Sequence, residues 1–213
     1  MDNLVNKSFF QNTFSTVMHN GINLKIFRPV NKFNLKSENI EAKKFTILGV
    51  AYQWTTRKGL ADFIELSQRL TTDFQSILVG LSRKQLKDLP SNIIGIAKTE
   101  NISGLVQLYS YSDVFVNPTY EDNYPTANLE AMACGTPVIT YATGGSIEPV
   151  CSETGFIIGK GDVNALTNTL IKMKTNFGKN HFSKKCRSKA KKYFDENNTY
   201  EDYIKTFRPT LHG

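Results

Sequence analysis

The sequence predicts an α/β domain, a Rossmann-like parallel sheet with helices on both faces. Two observations carry this. Short apolar runs alternate with stretches of helical periodicity along most of the 213 residues. Most of those runs also lack the in/out alternation of a sheet with one wet face, as strands buried on both sides do.

The elements read in order. Phe45 to Ala51 is a buried strand, followed by a helix over Lys58 to Leu70 with Leu60, Phe63, Ile64, Leu66 and Leu70 at helical spacing. Gln75 to Leu81 is the second strand, with a short helix around Arg83 to Leu86. Asn92 to Lys98 is the third, followed by a helix over Ile102 to Tyr111 that turns Leu105, Leu108 and Tyr109 inward. Asp113 to Asn117 is the fourth strand and Pro125 to Cys134 its helix, Pro137 to Ala142 the fifth strand and Gly155 to Ile158 the sixth. Helices follow over Val163 to Met173, Phe182 to Phe194 and Tyr200 to Phe207. Residues 1–40 show little periodicity and read as a lead-in, 41–195 as the Rossmann-like domain, and 196–213 as a terminal helix and tail.

A hydrophobic fraction of 40% and a charged fraction of 21% describe a globular chain rather than a disordered one. No apolar run approaches the roughly 18–20 residues of a membrane span. Met1 to Phe10 has no basic stretch leading into an apolar core, so a cytoplasmic protein is expected. Three cysteines, Cys134, Cys151 and Cys186, are an odd number without C-x-x-C spacing, which argues against a disulfide framework or a zinc site. The net charge of +7 favours anionic partners. Lys179, Lys184, Lys185, Arg187, Lys189, Lys191 and Lys192 lie close together with no acid among them. The plain reading is a solvated helix face. The sharper one is a foot on an anionic membrane, where each cation contributes about 1 kcal/mol. No nucleic-acid-binding pattern accompanies the charge, and no nucleic acid is expected.

In an open parallel sheet ligands bind outside the carboxyl ends of the strands. The most informative loop there follows the fourth strand and runs from Pro118 to Glu130. Pro125 suits a first helical turn, and a helix N-terminus at a strand's carboxyl end offers N–H groups and a positive dipole to an anion. Asp122 and Glu130 flank that place, and carboxylates accept from ribose or sugar hydroxyls. The bland alternative is an N-cap at Asp122 or Asn123 and an exposed Glu130.

The stretch NPTYEDNYPTANLEAMACGTPVITYATGGSIEPV resembles the signature of family-four retaining glycosyltransferases: two acids with seven residues between them, then E-A-M-A-x-G-T-P-V and T-G-G-x-x-E. Asp122 and Glu130 match the acids, although the pattern usually has Glu first and Glu121 is one position out of register. His19 to Pro29 resembles the family's N-G-[IV]-[DN]-x-x-x-F-x-P linker, and Lys58-Gly59 its Lys-Gly. The similarity covers residues 17 to 207.

The resemblance implies the C-terminal, donor-binding half of the two-domain GT-B fold, with residues 1–40 ending in the remnant of the interdomain linker. The N-terminal acceptor domain, normally ahead of that linker, is then expected to be missing from this chain or supplied by a partner chain. The resemblance makes Lys58 a contact to the donor diphosphate, Glu130 the ribose ligand and Asp122 the acid near the transferred sugar. Asn123, Tyr124, Thr126 and Ala127 present backbone N–H groups to phosphate and sugar, with Pro125, which has none, among them. The family often has an arginine near Ala51, and Arg57 is a candidate replacement, arginine being a natural fork for phosphate. Gly135, Thr136, Gly144 and Gly145 read as turn chemistry, Glu148 has no assigned role, and a base is expected near Ala97 and Lys98.

The implied reaction moves a sugar from a nucleotide donor, UDP- or GDP-linked, to a hydroxyl of a saccharide or lipid-linked acceptor with retention. The expected setting is cell-surface polysaccharide or lipopolysaccharide synthesis at the inner face of the membrane. Asp122 and Lys58 are the expected catalytic pair. No D-x-D motif is present, so neither metal nor other cofactor is expected. The alternative is a truncated sugar-nucleotide-binding remnant without transferase activity. A GT-B epimerase fits the E-A-M-A-x-G-T-P-V match less well. A dinucleotide oxidoreductase would need G-x-G-x-x-G where Gly49 to Trp54 stands, and a response-regulator-like module leaves the motif unexplained.

Overall fold

The structure is a computed structural model that describes residues 16–31 and 40–207. Each predicted apolar run forms a strand: β1 Phe45–Val50, β2 Phe74–Val79, β3 Ile93–Ile96, β4 Val114–Asn117, β5 Val138–Tyr141 and β6 Gly155–Ile158. All are parallel, in the order β3-β2-β1-β4-β5-β6. Neighbouring residues such as Ile47 and Leu48, Ile77 and Leu78, Val114 and Phe115, and Val138 and Ile139 are wholly inaccessible. Both faces of the sheet are therefore covered, which is why the sequence shows no alternation there. The chain winds outward from β1 to β3, returns to β4 beside β1, and winds the other way to β6. The loops after β1 and β4 diverge at this switch point and open a crevice.

Seven helices are described: α1 Leu60–Arg69, α2 Arg83–Lys87, α3 Ile102–Tyr111, α4 Thr126–Ala133, α5 Val163–Lys172, α6 Gly178–Tyr193 and α7 Glu196–Phe207. Local chemistry sets their starts. Ser82 and Gln85 form a capping box on α2, Asn101 caps α3 through the Gly104 amide, and Asp162 caps α5 through Ala165. Four starts differ from expectation. The predicted helix at Lys58 begins with a short 3₁₀ turn, Thr56–Lys58, that ends at Gly59, so α1 starts at Leu60. Pro125 stands at the cap of α4 rather than inside it. The last two helices start four residues early, because Gly178–His181 and Glu196–Thr199 are polar and carry no apolar periodicity.

The segment before the domain is woven into it. Ile22 forms a parallel bridge with Asp195: its N–H donates to Phe194 at 2.8 Å and its carbonyl accepts from Glu196 at 3.1 Å. Ile22, Leu24 and Phe27 are buried in the same core as the sheet. The Arg187 guanidinium fixes this segment, donating to the carbonyls of Phe27 at 2.8 Å, Ala133 at 2.9 Å and Leu24 at 3.1 Å. The basic run is thus not one solvated face. Lys179 also turns inward and donates to the Ser110 and Tyr109 carbonyls at the C-terminus of α3, where a cation suits the helix dipole. Burial pulls its ammonium down to about 8. Cys134 and Cys186 are buried and, like half-buried Cys151, unbridged. No described helix is long and apolar enough to cross a membrane.

Three carbonyls depend on one guanidinium, and hydrogen bonds to a charged group contribute about 1.5–3 kcal/mol each in mutational series. Arg187→Met should lower unfolding free energy by about 2–4 kcal/mol in urea denaturation. A loss under about 0.5 kcal/mol, the range of ordinary surface changes, would show that the segment is not held this way.

Candidate functional site

At the switch point the loops after β1 and β4 are joined by four contacts. The Arg57 carbonyl accepts from the Tyr120 N–H at 2.8 Å and the Thr119 hydroxyl at 3.3 Å. The Arg57 guanidinium returns the contact to the Glu121 carbonyl at 3.1 Å. Next along both loops, the Lys58 ammonium meets the Asp122 carboxylate at 2.6 Å. Such closeness requires Gly59: its φ is 74°, and a Cβ there would lie 2.1 Å from the Pro118 carbonyl oxygen.

The loop after β5 braces the other side. The Gly145 N–H donates to the Asp122 carbonyl at 3.1 Å, and a Cβ on Gly145 would lie 1.6 Å from the Asn123 carbonyl oxygen. The Thr143 hydroxyl donates to the Thr119 carbonyl at 2.8 Å. Beneath, Asn117 donates to Asn128, Asn128 to the Ser146 carbonyl, and Thr140 to the Asn117 carbonyl, with the Thr140 and Ser146 hydroxyls 2.5 Å apart. Among the described residues no buried side-chain polar atom lacks a partner. A fully satisfied network of this kind fixes geometry.

These loops frame a cleft of about 930 Å³. Val50, Val79, Gly80, Ala97, Lys98 and Thr99 line it at and just beyond the carboxyl ends of β1, β2 and β3. Arg57 and Lys58 line it from the β1 loop, and Asp122, Tyr124, Pro125, Thr126, Ala127 and Glu130 from the β4 loop and α4. Every sequence-predicted site residue except Asn123 lines the cleft. Asn123 is exposed, and its carbonyl faces Gly145 instead. Among the described residues no side chain caps α4, and the first residues of that helix, Thr126 and Ala127, line the cleft.

Glu130 lies on α4 and accepts from the Tyr109 hydroxyl at 3.0 Å. Burial raises its carboxyl above the ordinary glutamate value, partly offset by that hydrogen bond. Burial and the nearby Glu148 charge push the Tyr124 hydroxyl up to about 12. Two further residues reach Tyr124. His19 tilts its ring over the Tyr124 ring at 4.3 Å and donates from Nε2 to Glu148 at 2.5 Å. His19 had no predicted role and Glu148 none assigned, and no local signal joins residues so far apart in the chain. Asp62, which sequence reading left aside, is buried and accepts from the Tyr120 and Tyr141 hydroxyls at 2.9 and 2.7 Å, anchoring the same loop to α1. Among the described residues no group of three or more His, Cys, Asp or Glu is placed to hold a metal.

A doubly wound parallel sheet with its cleft at the switch point, framed by loops of this chemistry, is a Rossmann-like domain of the GT-B type. Residues 42–176 match the family described as group 1 glycosyl transferases, and the chain belongs to that family. It is 26% identical over 215 residues to the N,N'-diacetylbacillosaminyl-diphospho-undecaprenol alpha-1,3-N-acetylgalactosaminyltransferase of Campylobacter jejuni, covering 92% of this chain and 54% of that protein. It is 29% identical over 190 residues to the UDP-Gal:alpha-D-GlcNAc-diphosphoundecaprenol alpha-1,3-galactosyltransferase of Escherichia coli, covering 82% and 49%. Sucrose-phosphate synthase of Thermosynechococcus elongatus superposes with a TM-score of 0.84 at 24% identity, over 99% of this chain and 56% of that one. The chain spans about half the length of the relatives it matches.

The raised Glu130 carboxyl makes stability depend on pH. Above the ordinary glutamate value the folded state holds this proton where the unfolded chain has lost it, so stability falls as pH rises through that window. Glu130→Gln removes the loss. Its stability relative to wild type should increase from acid to neutral pH in urea denaturation, and a difference independent of pH would contradict the burial. Gly145→Ala should cost about 2–4 kcal/mol in the same measurement, because its Cβ meets backbone rather than a movable side chain. A neutral substitution would mean that the β4 and β5 loops are not in contact.

Proposed function

We propose that this domain binds a nucleotide sugar and, together with an acceptor-binding domain, transfers the sugar with retention to an acceptor hydroxyl in the synthesis of a lipid-linked or cell-surface glycan. The observation that carries this is the cleft itself, with Lys58 and the uncapped N-terminus of α4 both lining it and Glu130 further along the same helix. Glu130 would accept from the ribose hydroxyls of a UDP- or GDP-linked donor. Lys58 and the amides of Thr126 and Ala127 would bind the diphosphate, with Arg57 adding charge at the rim.

Transfer needs stabilisation of the departing nucleoside diphosphate as an oxocarbenium-like sugar forms. Lys58 and the α4 dipole supply fixed positive charge at that point, without a metal. Asp122 holds the Lys58 ammonium in place and lies where the transferred sugar would sit. The acceptor's side of the cleft would come from an acceptor-binding domain, the chain spanning about half the length of the relatives it matches. The two relatives named above are transferases whose names specify diphospho-undecaprenol-linked saccharides, which favours a lipid-linked acceptor at the inner membrane face here. Exposed Lys184, Lys191 and Lys192 would meet the anionic headgroups.

Calorimetric titration with UDP, GDP and ADP tests the donor site. One nucleoside diphosphate should bind saturably, and Glu130→Ala and Lys58→Ala should each weaken it about tenfold or more, the loss of a charge-assisted contact. Absence of binding by all three overturns the donor reading.

A further inference from the structure

Three distant segments converge on Tyr124. His19 comes from the segment before the domain, and Glu148 follows the 3₁₀ turn Gly144–Ile147 after β5. Tyr124 precedes the Pro125 cap of α4 and lines the cleft. The His19 ring lies over the tyrosine ring at 4.3 Å while its Nε2 donates to Glu148 at 2.5 Å, so one imidazole bridges the two loops. Both ends of the bridge are anchored. The His19 carbonyl accepts from the Thr199 hydroxyl of α7 at 3.4 Å, and Gly145, three residues before Glu148, is pressed against Asn123. The His19 and Glu148 side chains are 44% and 47% exposed. A polar contact so open to water adds little to folding stability, so its consequence lies in where it puts Tyr124.

We infer that His19 and Glu148 are positioning residues for the cleft. They clamp Tyr124, and with it the short peptide through Thr126 that presents the first amides of α4. The inference rests on the donor-site reading for its ligand, but not for its geometry. It makes the segment before the domain part of the binding site: displacement of residues 19–22 relative to the sheet would be felt at the helix N-terminus through one imidazole ring.

The test combines two readouts on the wild-type chain, His19→Ala, Glu148→Ala and the double variant. Hydrogen exchange without ligand should be about tenfold faster at residues 124 and 126–128 in each variant and unchanged in the strands. The urea midpoint should stay at the wild-type value. Calorimetry with the nucleoside diphosphate that binds wild type should show about three- to tenfold weaker affinity for each single variant and no further loss in the double. Tyr124→Ala, which removes the ring that His19 packs against, should bind like His19→Ala. Unchanged exchange at α4 overturns the clamp, as do additive losses of affinity or a fall in stability that tracks the affinity. Failure of every nucleotide to bind overturns the donor reading alone, because the exchange result still decides the clamp.

Discussion

The junction between the loops after β1 and β4 is the constraint on which the cleft depends. Two parallel strands adjacent in the sheet but separated along the chain by two other strands deliver their loops to the same place, and there the Arg57 carbonyl takes up both the Tyr120 amide and the Thr119 hydroxyl. With these bonds made, Lys58 and Asp122 have little freedom except to meet. Asp62 below and Gly145 behind hold the same loop from two further directions. The rim is therefore set by backbone contacts and buried polar groups, and the side chains that would meet a ligand are carried on a framework they do not have to build.

The same economy explains how residues 16–31 belong to the domain. The segment turns on itself where the Asn23 carbonyl accepts from Ile26 and Phe27, and it takes further partners from Phe194, Glu196 and the Arg187 guanidinium. Its three buried side chains join the core of the sheet. The segment continues directly into His19, so the placement of a piece of chain outside the strands and helices is tied to the placement of a cleft-lining tyrosine.

What the sequence disclosed and what it withheld divide along the range of the interactions. Strands buried on both faces leave uninterrupted apolar runs, so β1 to β6 were legible in order, as was the parallel arrangement. The stretch from Pro118 to Glu130 was legible because its chemistry is local: loop, cap and helix are consecutive, and all but Asn123 of its predicted residues line the cleft. The starts of α6 and α7 were not, because their first turns are polar. Nor were the inward turns of Lys179 and Arg187, which read as charge on an exposed helix. Their partners lie about 70 and up to 163 positions away, and no window of sequence contains both. The His19–Glu148 contact, across 129 positions, was hidden for the same reason.

The contact between Lys58 and Asp122 also bears on which anions the cleft admits. An ammonium already matched to a carboxylate at 2.6 Å offers little net attraction to chloride or to a single phosphate, since either must displace a partner of comparable charge and geometry. On the donor-site reading, a ligand with two linked phosphates would engage the lysine and the amides of α4 together and so compensate for the lost carboxylate. The pairing would then act as a threshold, disfavouring small anions and favouring ligands whose charge is spread over two anchoring points.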